Sequence, residues 1–244
     1  MVMTGDGVDP DAFRICAADM RDHQNQAVRN DGKSERQEIV RRRPPRFDLS
    51  AGVVCLDFIN TLDNRPSGEP KELLSSFIDL ARFGEDSLIL DPNQVEKFFR
   101  DSQIAPERTQ EALARAIELR EALFAIFSSV MKKTEAPVGA MQTLNAYLRM
   151  AGDHSQLVLR NGHFSWGFRE RFSYDAVLWP IAQSAADLLT SDQLAFVRTC
   201  SSPTCQWFFL DSSKNHRRRW CNMKLCGNRD KVRRFYERQK QAET

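Results

Sequence analysis

Near the carboxyl end of this chain four cysteines fall into two pairs, Cys200-x4-Cys205 and Cys221-x4-Cys226, with fifteen residues between the pairs. No other feature limits the fold as tightly. A quartet this compact points to a metal in a reducing compartment more than to disulfides; another metal and free thiols stand as alternatives. Zinc takes four ligands at tetrahedral geometry with sulfur at about 2.3 Å, and two short cysteine pairs on separate knuckles meet that demand if the chain between them folds back. The spacing predicts such a fold-back as a hairpin: Gln206 to Leu210 as one strand, Asp211 to Asn215 as the turn, Arg217 to Trp220 as the return. Cys226 then opens a helix, with Gly227 permitting the tight turn. Knuckle, hairpin and a final ligand at a helix start describe a treble-clef-like finger. Four thiolates leave no open position for water, so the predicted ion is structural, and in so small a module it supplies folding energy. His216 reads as a surface residue, since the cysteine set is already complete. Cys16 and Cys55 stand apart from the quartet.

The net charge is +2, but its distribution carries more information. From Cys200 to Thr244 there are eleven basic and four acidic side chains, +7, which leaves −5 on residues 1–199. A basic appendage on a mildly acidic body is the asymmetry expected of a polyanion binder; a merely solvated surface is the bland alternative. In the final helix Lys231, Arg234 and Arg238 share a stripe, with Arg229, Arg233 and Lys240 on the flank and Arg217, Arg218 and Arg219 on the hairpin. Val232, Phe235, Tyr236 and Gln239 share one face, which is expected to pack on Trp207 and Phe209. Trp207 and Trp220 read as hairpin core rather than as base-stacking platforms.

The remainder reads as one body behind an extension. Residues 1–46 mix basic and acidic residues with few apolar ones and no period, so no core is expected there and the segment reads as disordered; the Arg41–Arg46 run closes it as a linker that could add phosphate contacts. The body is expected to span 47–195 and the finger 196–244. Gly52 to Ile59 reads as a buried strand, rich in β-branched and aromatic residues. Helices follow over Leu73 to Ala81 with Gly84 as the stop, from Pro92 to Phe99, from Pro106 to about Lys133, and around Met141 to Leu148. Asn161-Gly162 between two short apolar runs predicts a hairpin. The last helix spans Tyr174 to Thr190, with Pro180 opening or kinking it. The class is therefore α+β: a mainly helical domain with a small sheet, followed by the finger.

These residues resemble a known family. Cys221-Asn222-Met223-Lys224-Leu225-Cys226-Gly227-Asn228-Arg229, preceded by Cys205 to Asp211 and Arg218-Arg219-Trp220, is similar to the CGNR zinc finger. Cys55-Leu56-Asp57-Phe58-Ile59-Asn60-Thr61 resembles the opening of the ABATE domain that precedes this finger. The resemblance covers roughly Phe47 to Lys240. It implies one structural zinc on Cys200, Cys205, Cys221 and Cys226 and a stress-related bacterial transcription regulator.

On that reading the partner is double-stranded DNA. Arg217, Arg218, Arg219, Lys224, Asn228, Arg229, Lys231, Arg233, Arg234 and Arg238 are the candidate contacts, although Asn228 and Arg229 serve equally well as braces of the zinc knuckle. RNA binding or protein interaction is the alternative for the finger. Asp57, Asn60 and Thr61, with Asp63 and Asn64 beyond them, sit at the end of the predicted strand. They are read either as contacts for a small-molecule effector or as a capping network. Homodimerisation would offset the small footprint of one finger. No Gly-rich phosphate loop, H-E-x-x-H or nucleophile elbow is present, so an enzyme is not expected. No apolar run is long enough to cross a bilayer, and residues 1–11 lack a signal-peptide core, so the cytoplasm is the expected location.

Overall fold

A long central helix organises the body. In the computed structural model, which describes residues 47–160, 162–170 and 172–242, the body helices are α1 (Val54–Ile59), α2 (Phe77–Asp86), α3 (Pro92–Ile104), α4 (Pro106–Lys132), α5 (Val138–His154) and α6 (Leu178–Thr190). Pro106 starts α4, where a missing N–H costs nothing, and Lys133 ends it in the left-handed region at φ 55°. Its inner stripe of Ala112, Ala116, Leu119, Leu123, Ile126 and Phe127 is buried against α1, α2, α3, α5 and α6. Local caps fix the neighbours: Ser76 accepts from the Asp79 N–H, and Asp91 and Gln94 bond reciprocally at the start of α3.

Three expectations change here. The segment from Val54 to Ile59 is a helix, not a strand. Cys55, Leu56, Asp57, Phe58 and Ile59 are all buried, and an element surrounded by core shows neither period in its sequence. Gly84 does not stop α2 but lies within it, because a Cβ there would come within 2.7 Å of Leu90 and 3.0 Å of Val177. The stop lies downstream, at Leu88 with φ 62°, and the Ile89 and Leu90 N–H groups turn back to the Gly84 carbonyl. The helix also begins later than predicted, at Phe77, because Lys71–Glu72 (β2) pairs with Leu62–Asp63 (β1). Pro180 falls in the first turn of α6, where the N–H groups lack intrahelical acceptors, so it opens the helix rather than kinking it.

The predicted body hairpin forms: β3 (Ser155–Arg160) runs antiparallel to β4 (His163–Phe168), closing around Gly162 at φ 81°; Asn161 lies outside the described residues. The third ribbon lies in the finger, where β5 (Val197–Thr199) pairs with β6 (Phe208–Leu210). The final helix, α7, spans Asn228–Ala242. The expectations for residues 1–46 fall outside the described residues. Among the described residues no helix is long and apolar enough to cross a membrane.

Body and finger share structure. Both the N–H and the carbonyl of Phe208 in β6 bond to the Asn60 side chain, at 3.1 and 2.8 Å, and the Leu210 N–H reaches the Ala51 carbonyl at 2.8 Å. Phe208 itself packs between Phe124 and Phe127 of α4.

Candidate metal centre and basic surface

Each cysteine pair is held by its own knuckle. In the first, the Cys200 N–H bonds to the Trp207 carbonyl at 2.8 Å and the Cys205 N–H to Ser202 at 3.1 Å, while Gln206 turns through the left-handed region at φ 54°. In the second, Asn222 does most of the shaping. Its side chain accepts from the N–H groups of Lys224 and Leu225, and its carbonyl accepts from Cys226 and Gly227. The chain there winds through one π-turn, Met223–Gly227, before entering α7. Asn222 also donates to Asp48 at 2.9 Å, which ties the knuckle to the first residues of the body.

These loops bring the four sulfurs together. Cys200, Cys205, Cys221 and Cys226 are all buried, and their Sγ atoms lie within 4.8 Å of one another. Cys205 and Cys221 are 3.6 Å apart, Cys221 and Cys226 3.7 Å. A tetrahedron with 2.3 Å zinc–sulfur bonds has edges of about 3.8 Å, so the donor set fits zinc in both chemistry and size. The thiols cannot all ionise side by side. Cys205 and Cys221 are pushed up by their hydrogen bonds to Cys200, and Cys226 by burial, while bonds from Cys205 and Cys221 push Cys200 down. A divalent cation at the centre removes that conflict, because coordinating thiols are deprotonated outright. Cys55, by contrast, is not part of this group but buried in the core, and burial raises its thiol to about 12, the mark of an inert packing residue.

The segment between the knuckles differs from the predicted hairpin. β6 pairs with β5 upstream of Cys200, not with Arg217 to Trp220. Residues 211–220 are instead ordered by side chains. The buried Asp211 carboxylate accepts from the Ser213 N–H and hydroxyl and from the Arg218 N–H. Burial opposes its charge, yet these bonds outweigh burial and hold the carboxyl below its ordinary value. His216 is exposed, as expected, stacked on Phe196 at 3.9 Å.

The ten predicted nucleic-acid contacts divide into two groups. Arg218 is half-buried and spent on structure: its guanidinium donates to the carbonyls of Trp220, Cys221 and Ser50 and lies over the Phe209 ring at 4.7 Å. Arg233 and Arg234 pair with the buried Asp230. Arg217, Arg219, Lys224, Asn228, Arg229, Lys231 and Arg238 are exposed. The apolar face of α7 does not pack on Trp207 and Phe209. Val232, Phe235 and Tyr236 are 56, 51 and 59% exposed, while Phe209 is buried beneath Arg218. The main contact of α7 is with the π-turn that launches it.

Asp57, Asn60 and Thr61 are buried and bonded within the protein. Asp57 accepts from the Ala51 N–H, Asn60 clamps Phe208, and the Thr61 hydroxyl donates to Phe58 and accepts from Arg120. Arg120 is buried too, paired through both terminal nitrogens with Glu72. An open cleft of about 720 Å³ lined by Lys97, Arg108, Arg115, Arg169 and Tyr174, among others, includes none of the three.

The residues overlooked in the sequence are Asn222, Asp211 and Asp48. The first two had a readable signal, an Asn or Asp directly before residues whose N–H groups it could accept. Asp48 had none, since its partner lies 174 positions away.

A helical body carrying a buried four-cysteine zinc knuckle is the class of protein that this fold and site define. Residues 52–192 match the model of the ABATE family, described as "Putative stress-induced transcription regulator", and residues 197–239 match the CGNR zinc finger. The chain belongs to the ABATE family and carries a CGNR zinc finger behind that domain. No curated protein matches it.

Proposed function

We propose that this protein is a DNA-binding transcription regulator whose zinc finger contacts the phosphate backbone of duplex DNA. The observation that supports this most directly is the concentration of exposed cations on the zinc-ordered segment. Arg217, Arg219, Lys224, Arg229 and Lys231 are exposed within a stretch of fifteen residues that the metal and the Asp211 and Asn222 bonds make rigid. Each phosphate neutralised by such a side chain releases condensed counterions, so affinity falls with salt in proportion to the number of contacts. The metal has a structural part in this reading, as all four of its positions are taken by sulfur, and the protein is a binder rather than an enzyme.

Arg217→Ala combined with Arg219→Ala tests the interface in the full-length, zinc-loaded chain. Fluorescence anisotropy with a DNA duplex over a salt series should show weaker binding and a slope of log K against log salt flattened by about 2. An unaltered slope removes both residues from the interface. The exposed Phe235 and Tyr236, 5.7 Å apart on α7, favour a second reading in which the finger takes RNA or another single strand by stacking. Competition between duplex DNA and single-stranded RNA of the same length separates the two.

A further inference from the structure

The β3–β4 hairpin wears its apolar side outward. Cross-strand register sets Leu157 opposite Trp166 and Leu159 opposite Phe164. Residues two apart on a strand share a face, so these four make one block. Leu157 is 63% exposed, Trp166 61%, Leu159 61% and Phe164 71%. The other face, with Gln156, Val158, Ser165 and Gly167, is half-buried. That order reverses what a ribbon on a lone protein would show, with its large apolar side chains turned inward. Nor is the hairpin loose, because its base is fastened to the body where Phe168 packs on Trp179 of α6 at 5.3 Å.

We propose that two copies of this chain associate through these hairpin faces, packed against each other about a two-fold axis. Area is the first argument. At ordinary side-chain surfaces the four residues present roughly 600 Å² per copy, so a symmetric pair would bury roughly 1,200 Å², the lower bound of a specific interface. The chemistry of the patch is the second. None of its four side chains carries a charge, so nothing in it would recognise a phosphate backbone or an oppositely charged peptide. It is also complementary to itself: an axis parallel to the strands lays the aromatics of β4 over the leucines of the partner copy's β3, the isologous arrangement of most dimers. The architecture supplies the third. Among the described residues β3 and β4 pair only with each other, and a two-stranded ribbon with an apolar face gains stability from a second layer, which the other hairpin provides at the usual sheet spacing. The dimer would carry two fingers, doubling a small recognition footprint, but it does not depend on what the fingers bind.

Sedimentation velocity of the full-length, zinc-loaded chain tests this directly. The wild type should sediment as a dimer at roughly 100 μM, a concentration at which even a ~10 μM dimer is mostly assembled. Phe164→Ser with Trp166→Ser should weaken association at least tenfold while the far-ultraviolet circular dichroism and zinc content stay unchanged, since exposed side chains support no core. Phe164→Leu with Trp166→Phe should retain the dimer, and the single Leu159→Glu replaces the double serine variant if that one fails to fold. A wild type that stays monomeric at this concentration overturns the proposal, whatever then covers the face, residues 1–46 or another protein. A folded serine or glutamate variant as dimeric as the wild type overturns it equally.

Discussion

The body and the finger order their stretches of chain by different means. In the body, apolar burial dominates: Leu56, Phe58, Leu80, Phe98, Leu119, Leu123 and Phe127 are removed from water and helices follow from their spacing. Between Cys200 and Cys226 the core is slight, and regular structure is limited to the three-residue β6 and the π-turn at Met223–Gly227. Order there comes from four sulfurs and from side chains that replace missing secondary structure: Asp211 for the turn, Arg218 for the carbonyls of the second knuckle, Asn222 for the π-turn. A small domain with little to bury must obtain its folding free energy from a metal or from polar bonds, and this finger uses both. The two parts meet at β6, whose Phe208 is fixed by Asn60 at the end of α1 and packs on the aromatics of α4, so the finger's second strand is also braced by the body.

Removing one sulfur should separate the two mechanisms most sharply. Cys221→Ser takes away the residue at the centre of the cluster, 3.6 Å from Cys205 and 3.7 Å from Cys226. Structural zinc supplies on the order of 10 kcal/mol of folding free energy in small modules, far more than the apolar surface of this finger can replace. Native mass spectrometry should show loss of the ion, and hydrogen exchange should show lost protection over residues 200–227. Protection should persist in α3 and α5, which pack on α4, and fall at Ala51 to Asn60, which β6 braces. Retained zinc would deny Cys221 its role as a ligand, and unchanged exchange at Ala51 to Asn60 would deny the mechanical link.

Much of this division was legible in the sequence. Four cysteines at that spacing define a metal site wherever the loops run, and α4 announces itself through Pro106 and a long apolar stripe. The failures share a cause. Cys55 to Ile59 is wholly buried, so no exposed face marks a helical period, and its β-branched and aromatic content is that of a strand. Of the predicted strand Gln206 to Leu210 only Phe208–Leu210 is extended, and its partner lies upstream rather than downstream, because a strand shows its own pattern but not which neighbour completes its ladder. Arg218 looked like any other arginine in its run. Only the fold shows that three carbonyls and the Phe209 ring surround it while Arg217 and Arg219 face solvent.

Asn60 probes the joint between the regions. Asn60→Ala leaves the N–H and carbonyl of Phe208 buried and without their partner, at a cost of about 2 to 3 kcal/mol, since an unsatisfied buried group costs more than a bond ordinarily contributes. Urea unfolding should register that loss with zinc still bound at equilibrium. A change of less than about 0.5 kcal/mol would mean that the Phe124 and Phe127 packing alone holds β6, with the polar clamp idle.

The arginine run offers the finest division, because one side chain in it belongs to structure and its neighbours to solvent. Arg218→Ala removes donors from the Trp220, Cys221 and Ser50 carbonyls and uncovers Phe209, a loss of about 1.5 to 3 kcal/mol for charge-assisted bonds at a half-buried site, felt as lower stability and faster transfer of zinc to a chelator. Arg218→Lys should not restore it, since a single ammonium cannot span acceptors that a planar guanidinium reaches from several nitrogens. Arg217→Ala should leave stability and zinc transfer as they are and lower the salt slope of DNA binding by about 1. If the two variants behave alike in both assays, the line between structural and interfacial arginines in this finger does not run between residues 217 and 218.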